Sequence, residues 1–163
     1  MGKRANSVLT IREIQEADLE LIRKWRNNDR EWFHNKDIIT PEMQAGWYKR
    51  YLADDSDMLF MAEMDGVPIG IYGLINIRTK TAEAGRLIIG DKRYTGKKLG
   101  VDIIRLIWKY AFEELGVDEI YTDILANNKA IVISTARAGY TIVGFKKPDI
   151  IYLNITREDF YSD

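Results

Sequence analysis

From Asp91 to Gly100 the chain reads Asp-Lys-Arg-Tyr-Thr-Gly-Lys-Lys-Leu-Gly, placing the cations Lys92, Arg93, Lys97 and Lys98 beside the glycines Gly96 and Gly100. Such a segment can cradle phosphate. Glycine lets a backbone approach a ligand, successive N–H groups and a helix dipole favour an anion, and lysines add charge. An ordinary solvated turn ahead of a helix is the plainer reading of the same residues. A nucleotide P-loop is excluded, because five residues rather than four separate Gly90 from Gly96 and Lys98 stands where Ser or Thr should hold magnesium.

Composition bounds the rest. The 163 residues are 46% apolar and 30% charged, which suits one domain spanning 1–163 with a sizeable core. Lys and Arg number 24 against 25 Asp and Glu, so the net charge of −1 disfavours a globally basic nucleic-acid binder and an acidic disordered tail. With no cysteine there is no thiolate nucleophile, disulfide or Cys-ligated metal, and the single histidine, His34, excludes a site needing two imidazoles. No metal is expected. Apolar runs such as Leu87-Ile88-Ile89 fall far short of the roughly 18 residues of a membrane span. No apolar signal segment follows Met1-Gly2-Lys3-Arg4, so a soluble, cytoplasmic protein is the default expectation.

The elements that would position the loop can be read from periodicity. Residues 8–12 suggest a strand, and Leu19, Ile22 and Trp25/Arg26 a helix. Thr40-Pro41 starts a second helix, with Met43, Trp47 and Tyr51 on one face. Strands are predicted over 57–64 and 67–78, joined by a tight turn at Asp65-Gly66, with a third over 82–89. A long helix follows the cationic loop, burying Ile104, Ile107/Trp108, Ala111 and Leu115 and ending at Gly116. Then come a strand over 119–125, a helix over 129–138 closed by Gly139, and strands over 140–145 and 150–155. The order is β-α-α-β-β-β-α-β-α-β-β, a mixed α/β or α+β class.

Gly85-Arg86-Leu87-Ile88-Ile89-Gly90-Asp91, Tyr94 to Gly100, Asn127-Asn128-Lys129-Ala130 and Ala138-Gly139-Tyr140 together resemble the GNAT superfamily of acetyl-CoA-dependent N-acetyltransferases. The likeness runs over nearly the whole chain. It is strongest to small bacterial enzymes acting on amino-sugar nucleotides, polyamines or ribosomal-protein N-termini, and Trp25-Arg26-Asn27-Asn28 with Ile39-Thr40 and Trp47-Tyr48 is similar to the amino-sugar-nucleotide group. The resemblance implies a GNAT fold, a mostly antiparallel mixed sheet of about seven strands flanked by about four helices. It also implies acetyl-CoA as cosubstrate, a small-molecule amine acceptor and direct attack without a metal. Dimers are frequent in the superfamily, which makes a homodimer an expectation. Alternatives are a polyamine or protein N-terminal amine as acceptor, or a degenerate domain that binds CoA without turnover.

By the same resemblance, cofactor contacts fall on the backbone of Ile88 and Ile89, on Gly96, Lys97, Lys98, Leu99 and Gly100, and on Asn128. In the family's pyrophosphate motif Thr95 takes the Gln/Arg position and Lys98 the first glycine position, both departures, while Gly100 keeps the last. The tyrosine that reprotonates the cofactor thiolate in many relatives is here Thr135, with Ser134 beside it. Either hydroxyl could instead be solvated or bonded to the preceding turn. A lysine-like amine is neutral in only about one molecule in 2,500 at pH 7, so a base is needed. Glu83 is the candidate, expected to share a strand face with Gly85, Leu87 and Ile89 and to oppose Arg86, a salt-bridging residue. Trp32, Phe33 and His34 lie where relatives build an acceptor site, an aromatic segment able to stack on a base or sugar. The alternative makes the two aromatics core anchors and the histidine a surface residue.

Overall fold

Chain reversal between the first hairpin's strands rests on Asp65 and Gly66, whose φ angles of 52° and 82° are the left-handed pair that a tight turn needs. The structure is a computed structural model and describes residues 6–96 and 98–162. In chain order the elements are β1 (Leu9–Glu13), α1 (Leu19–Asn28), α2 (Pro41–Leu52), β2 (Met58–Met64), β3 (Val67–Ile75), β4 (Thr81–Ile89), α3 (Leu99–Glu113), β5 (Glu119–Leu125), α4 (Lys129–Ala138), β6 (Thr141–Lys147), β7 (Ile150–Thr156) and α5 (Arg157–Tyr161). The seven strands form one sheet in the order β1-β2-β3-β4-β5-β7-β6. Every neighbouring pair is antiparallel except β4 and β5, which run parallel.

Local chemistry fixes the ends. The Met43 N–H donates to the Thr40 hydroxyl at 3.2 Å with Pro41 in the first turn of α2, and the Ile131 N–H donates to Asn128 Oδ1 at 3.4 Å at the start of α4. α4 ends on Gly139 at φ 116°. Helix α5 and short 3-10 turns at Glu16–Asp18, Arg30–Trp32 and Lys92–Tyr94 add to the elements read from sequence. β3 stops at Ile75 rather than reaching residue 78, because Asn76 adopts a φ of 49° that no strand continues through.

The sheet has a core on each face. Against α3, α4 and α5 pack Phe60, Leu74, Ala82, Ala84, Ile107, Trp108 and Phe112, while against α1 and α2 pack Leu59, Met61, Ile71 and Ile88 with Ile22, Trp25 and Tyr51. Truncating a fully buried aromatic such as Phe112 to alanine should cost about 3–5 kcal/mol.

One expectation about β4 is corrected. Ala82 and Ala84 belong to the α3-side core, but Ile88 belongs to the α1/α2 side and Leu87 and Ile89 to the α3 side. A strict period of two would have kept Ala84 and Ile88 together and Glu83 with Leu87. A bulge resets the alternation: Ile71 pairs with Ile88 but Gly73 with Gly85, so one residue of β3 faces two of β4, and Arg86 takes a φ of 62°. Arg86 therefore reaches Asp57 at 2.7 Å, the expected salt bridge, but on the α1/α2 face, the side that Glu83 also takes opposite Ala82 and Ala84.

Candidate active site

β4 and β5 pair only at Thr81–Glu119, Ala82–Ile120 and Glu83–Tyr121, although β4 continues to Ile89 and β5 to Leu125. Beyond that point the strands part. Thr122 Oγ1 donates to the Ala84 carbonyl at 2.7 Å as the last tie across the split. The opening has an inner cavity of about 280 Å3 and an outer one of about 630 Å3, which share Leu87, Asn128 and Ile131 on their walls. One channel thus runs from the apex of the split to the start of α3.

The structure brings most of the expected site residues to this channel. Ile88, Ile89, Gly96, Lys98, Leu99, Gly100 and Asn128 line the outer cavity, and Glu83 with Trp32, Phe33 and His34 lines the inner one. Lys97 lies outside the described residues. The two hydroxyls are separated: Ser134 lies on the outer cavity, where a Cβ on Gly100 would come within 3.6 Å of its Oγ, whereas Thr135 lies on the inner one. Thr135 Oγ1 donates to the Ile131 carbonyl at 2.8 Å and lies 3.1 Å from that of Val132, so its proton is committed to the preceding turn.

At the outer end the expected quartet of cations is partly neutralised, and two residues of the turn are left-handed. Gly96 has a φ of 76° and Lys98, directly ahead of α3, sits at φ 62°, ψ −1°. Lys98, expected from the resemblance at a glycine position, takes the left-handed conformation that glycine takes easily. Arg93 is bound to Asp91 at 2.6 Å and Lys92 to Asp29 at 3.1 Å, so both carry a counter-charge already. Arg93 also holds the Asp91 carboxyl below its usual pKa. Lys129 and Arg137 of α4 line the same cavity, and neither is among the residues expected to contact the cofactor. Their positions on an exposed helix face look like any solvated surface until α4 is placed opposite α3.

At the inner end, Asn76 Nδ2 donates to Glu83 Oε2 at 2.7 Å. A second carboxylate, Asp123, lies on the same cavity with Oδ2 accepting from Lys146 Nζ at 2.9 Å and Oδ1 buried without a hydrogen-bond partner among the described residues. Tyr72 also lines it. Burial pushes the Tyr72 hydroxyl up to about 12, so it stays protonated at neutral pH. Behind it, the Trp108 and Tyr140 rings meet edge to face at 4.2 Å, with Trp108 Nε1 and Tyr140 Oη buried and without a hydrogen-bond partner among the described residues. Asp123 and Tyr72 escaped the sequence reading because each looks like an ordinary strand residue until β4 and β5 are seen to part.

Trp32 ends a 3-10 turn and is 44% exposed, and His34 is exposed as well. Phe33 is half-buried, with the Arg26 guanidinium 3.7 Å above its ring. The segment is therefore a cavity wall that packs on the core through Phe33. Among the described residues no group of three His, Cys, Asp or Glu side chains is placed to hold a metal ion, and no helix is long and apolar enough to cross a membrane.

A three-layer α/β protein with a sheet split between parallel strands, a left-handed glycine- and lysine-bearing turn at one end of the split and carboxylates at the other, is the class defined by these features. The model of the acetyltransferase (GNAT) domain matches residues 8–141, and the chain belongs to that family of N-acetyltransferases. It is 28% identical to the acetyltransferase PseH of Campylobacter jejuni over 148 residues, covering 90% of this chain and 91% of that protein. It is 25% identical to the spermidine N(1)-acetyltransferase of Escherichia coli over 82% of this chain and 73% of that one. Among solved structures, the fold superposes on a spermidine N-acetyltransferase from Vibrio cholerae in complex with CoA and spermine with a TM-score of 0.85 at 22% identity, covering 93% and 97% of the two chains. It also superposes on Campylobacter jejuni PseH in complex with acetyl coenzyme A with a TM-score of 0.74 at 24% identity, covering 92% and 99%.

Proposed function

We propose that the chain transfers an acetyl group from acetyl-CoA to a primary amine of an amino-sugar nucleotide, within the channel between β4 and β5. The observation that carries this reading is the parting of those strands after Glu83 and Tyr121, which joins the turn ahead of α3 to a carboxylate-lined apex in one channel. The residues fit the cosubstrate. Left-handed Gly96 and Lys98 with the N–H groups opening α3 suit a pyrophosphate, Lys129 and Arg137 add charge from across the cavity, and Gly85 leaves open space where a side chain would project. When bound, acetyl-CoA supplies an activated acyl group to an attacking amine.

This chain's own groups would do the rest. Glu83 takes the proton from the incoming ammonium directly or through a water, which lowers a deprotonation cost of about 4.6 kcal/mol for an amine of pKa near 10.4 at pH 7. Arg86 and Leu87, opposed to the single residue Tyr72, leave backbone amides off the β3 ladder beside the inner cavity, positioned to stabilise charge on the acyl oxygen. As the C–N bond forms and the C–S bond breaks, the nitrogen's second proton would pass to the leaving sulfur, which departs as the free thiol. Tyr72, kept protonated by burial, donates a hydrogen bond to it in place of the tyrosine that Thr135 replaces.

Binding of the cosubstrate is tested by thermal shift. CoA should raise the melting temperature of the wild type, and Gly96→Val, which puts a branched residue at a φ of 76°, should abolish the rise. An equal rise in both proteins would contradict the placement of the pyrophosphate. A polyamine acceptor is the second reading, favoured by the paired carboxylates Glu83 and Asp123 on the inner cavity.

A further inference from the structure

A separate cavity of about 610 Å3 lies on the other face of β4, between α1 and α2. Four guanidiniums line it: Arg23 and Arg26 from α1, Arg50 from α2 and Arg86 from the bulge. Three of them keep buried nitrogens with no hydrogen-bond partner among the described residues, namely Arg23 Nε, Arg26 Nη1 and Arg86 Nη1. The carboxylates around it are few. Glu20 binds Arg23 at 2.8 Å, Asp57 binds Arg86 at 2.7 Å, and Glu42 lines the cavity itself. Arg26 makes no ion pair among the described residues; its Nη2 donates to the Asn35 carbonyl at 2.5 Å and its plane covers Phe33.

Guanidinium nitrogens buried without a partner are unfavourable unless an acceptor completes them. Desolvation lowers the Arg26 pKa, in keeping with a cation that lacks its partner. Planar forks with open N–H groups fit phosphate oxygens two at a time. Trp47, Ile39 and Met43 give the same cavity an apolar wall suited to a flat ring. The cavity is also continuous with the channel, since Phe33 and Arg86 line both it and the inner cavity and Ile88 lines both it and the outer one. An acceptor anchored here would present its far end at the bulge.

We propose that this arginine-lined cavity binds the phosphate part of the acceptor, so that the enzyme selects phosphorylated amines and rejects polycations. The proposal rests on the acetyl-transfer reading and deepens it by naming the acceptor's charge. A linear polyamine would meet four guanidiniums in the cavity against the single carboxylate of Glu42.

The test is a titration of the intact protein with uridine 5′-diphosphate and with inorganic pyrophosphate, in saturating CoA so that the cosubstrate channel is filled. Both probes should bind, the nucleotide should quench Trp47 fluorescence, and excess spermidine should not displace it. Arg26→Met should weaken binding at least tenfold. Arg50→Met, at an exposed residue whose side chain makes no hydrogen bond among the described residues, should weaken it severalfold and keeps the test open if the first variant folds poorly. Failure of either probe to bind the CoA-saturated protein, displacement by spermidine, or wild-type affinity in a folded Arg26→Met or Arg50→Met protein would overturn the proposal. A missing CoA-induced thermal shift would instead overturn the transfer reading on which it rests.

Discussion

Gly70 of β3 lies so close beneath Ile88 of β4 that a Cβ on the glycine would come within 2.4 Å of the Ile88 carbonyl oxygen. That approach seats β4 just past its bulge, where the strand turns from the inner to the outer cavity.

Gly70→Ala must therefore push the Ile88 backbone outward. A loss of roughly 1–3 kcal/mol of stability is expected, as for other forced overpacking, together with weaker CoA binding. Chemical denaturation and a CoA titration of the same variant check both. An alanine that leaves stability and CoA affinity unchanged would show that β4 is not held by this contact.

Glu83 and Asp123 are alternative bases at one apex, and kinetics separate them. Removing a true general base should cut kcat by roughly 10²–10⁴ and flatten the acid limb of the pH–rate profile. Glu83→Gln is expected to do this. Asp123→Asn should have the smaller effect, because its Oδ2 is engaged by Lys146. The reverse order would move the base to β5.

Much of this arrangement was legible in the sequence because it follows from local chemistry. The Asp65-Gly66 turn, the Thr40 cap and the Gly139 terminus each depend on a few adjacent residues, and all three stand as read. The faces of β4 were not legible, since a bulge inserts one residue and inverts every later position, and its one local hint is Gly85 inside the strand. The loop cations were visible as a cluster, yet the partners of Lys92 and Arg93 depend on where Asp29 and Asp91 come to rest. Arg23, Arg26 and Arg86 could not be read as one group because the space they share exists only once α1, α2 and β4 are packed.

Acid stability depends on Asp18. Its carboxylate accepts from Arg12 Nη1 at 2.7 Å, from Arg12 Nη2 at 2.9 Å and from the Gln15 N–H at 2.7 Å. The Arg12 hydrogen bonds outweigh burial and hold its pKa below the usual value. A depressed folded-state pKa contributes stability that is present above the unfolded value near 3.9 and is lost as pH falls through the folded one. Asp18→Asn should thus cost about 1–3 kcal/mol at pH 7, and the gap to wild type should close below about pH 4. Urea unfolding at pH 7 and pH 3 measures the gap; an equal gap at both would remove the carboxylate from the account.

The central claim is acetyl transfer to an amine within the β4/β5 channel, and release of free thiol from acetyl-CoA in the presence of candidate acceptors measures it most directly. The panel should hold a nucleotide-linked amino sugar, spermidine, an aminoglycoside and a peptide with a free N-terminus. Thiol should appear with the nucleotide-linked amino sugar, at a rate that collapses in Glu83→Gln. Thiol release with none of these amines, from a protein that CoA demonstrably stabilises, would contradict catalysis and leave a domain that binds its cofactor without turning it over.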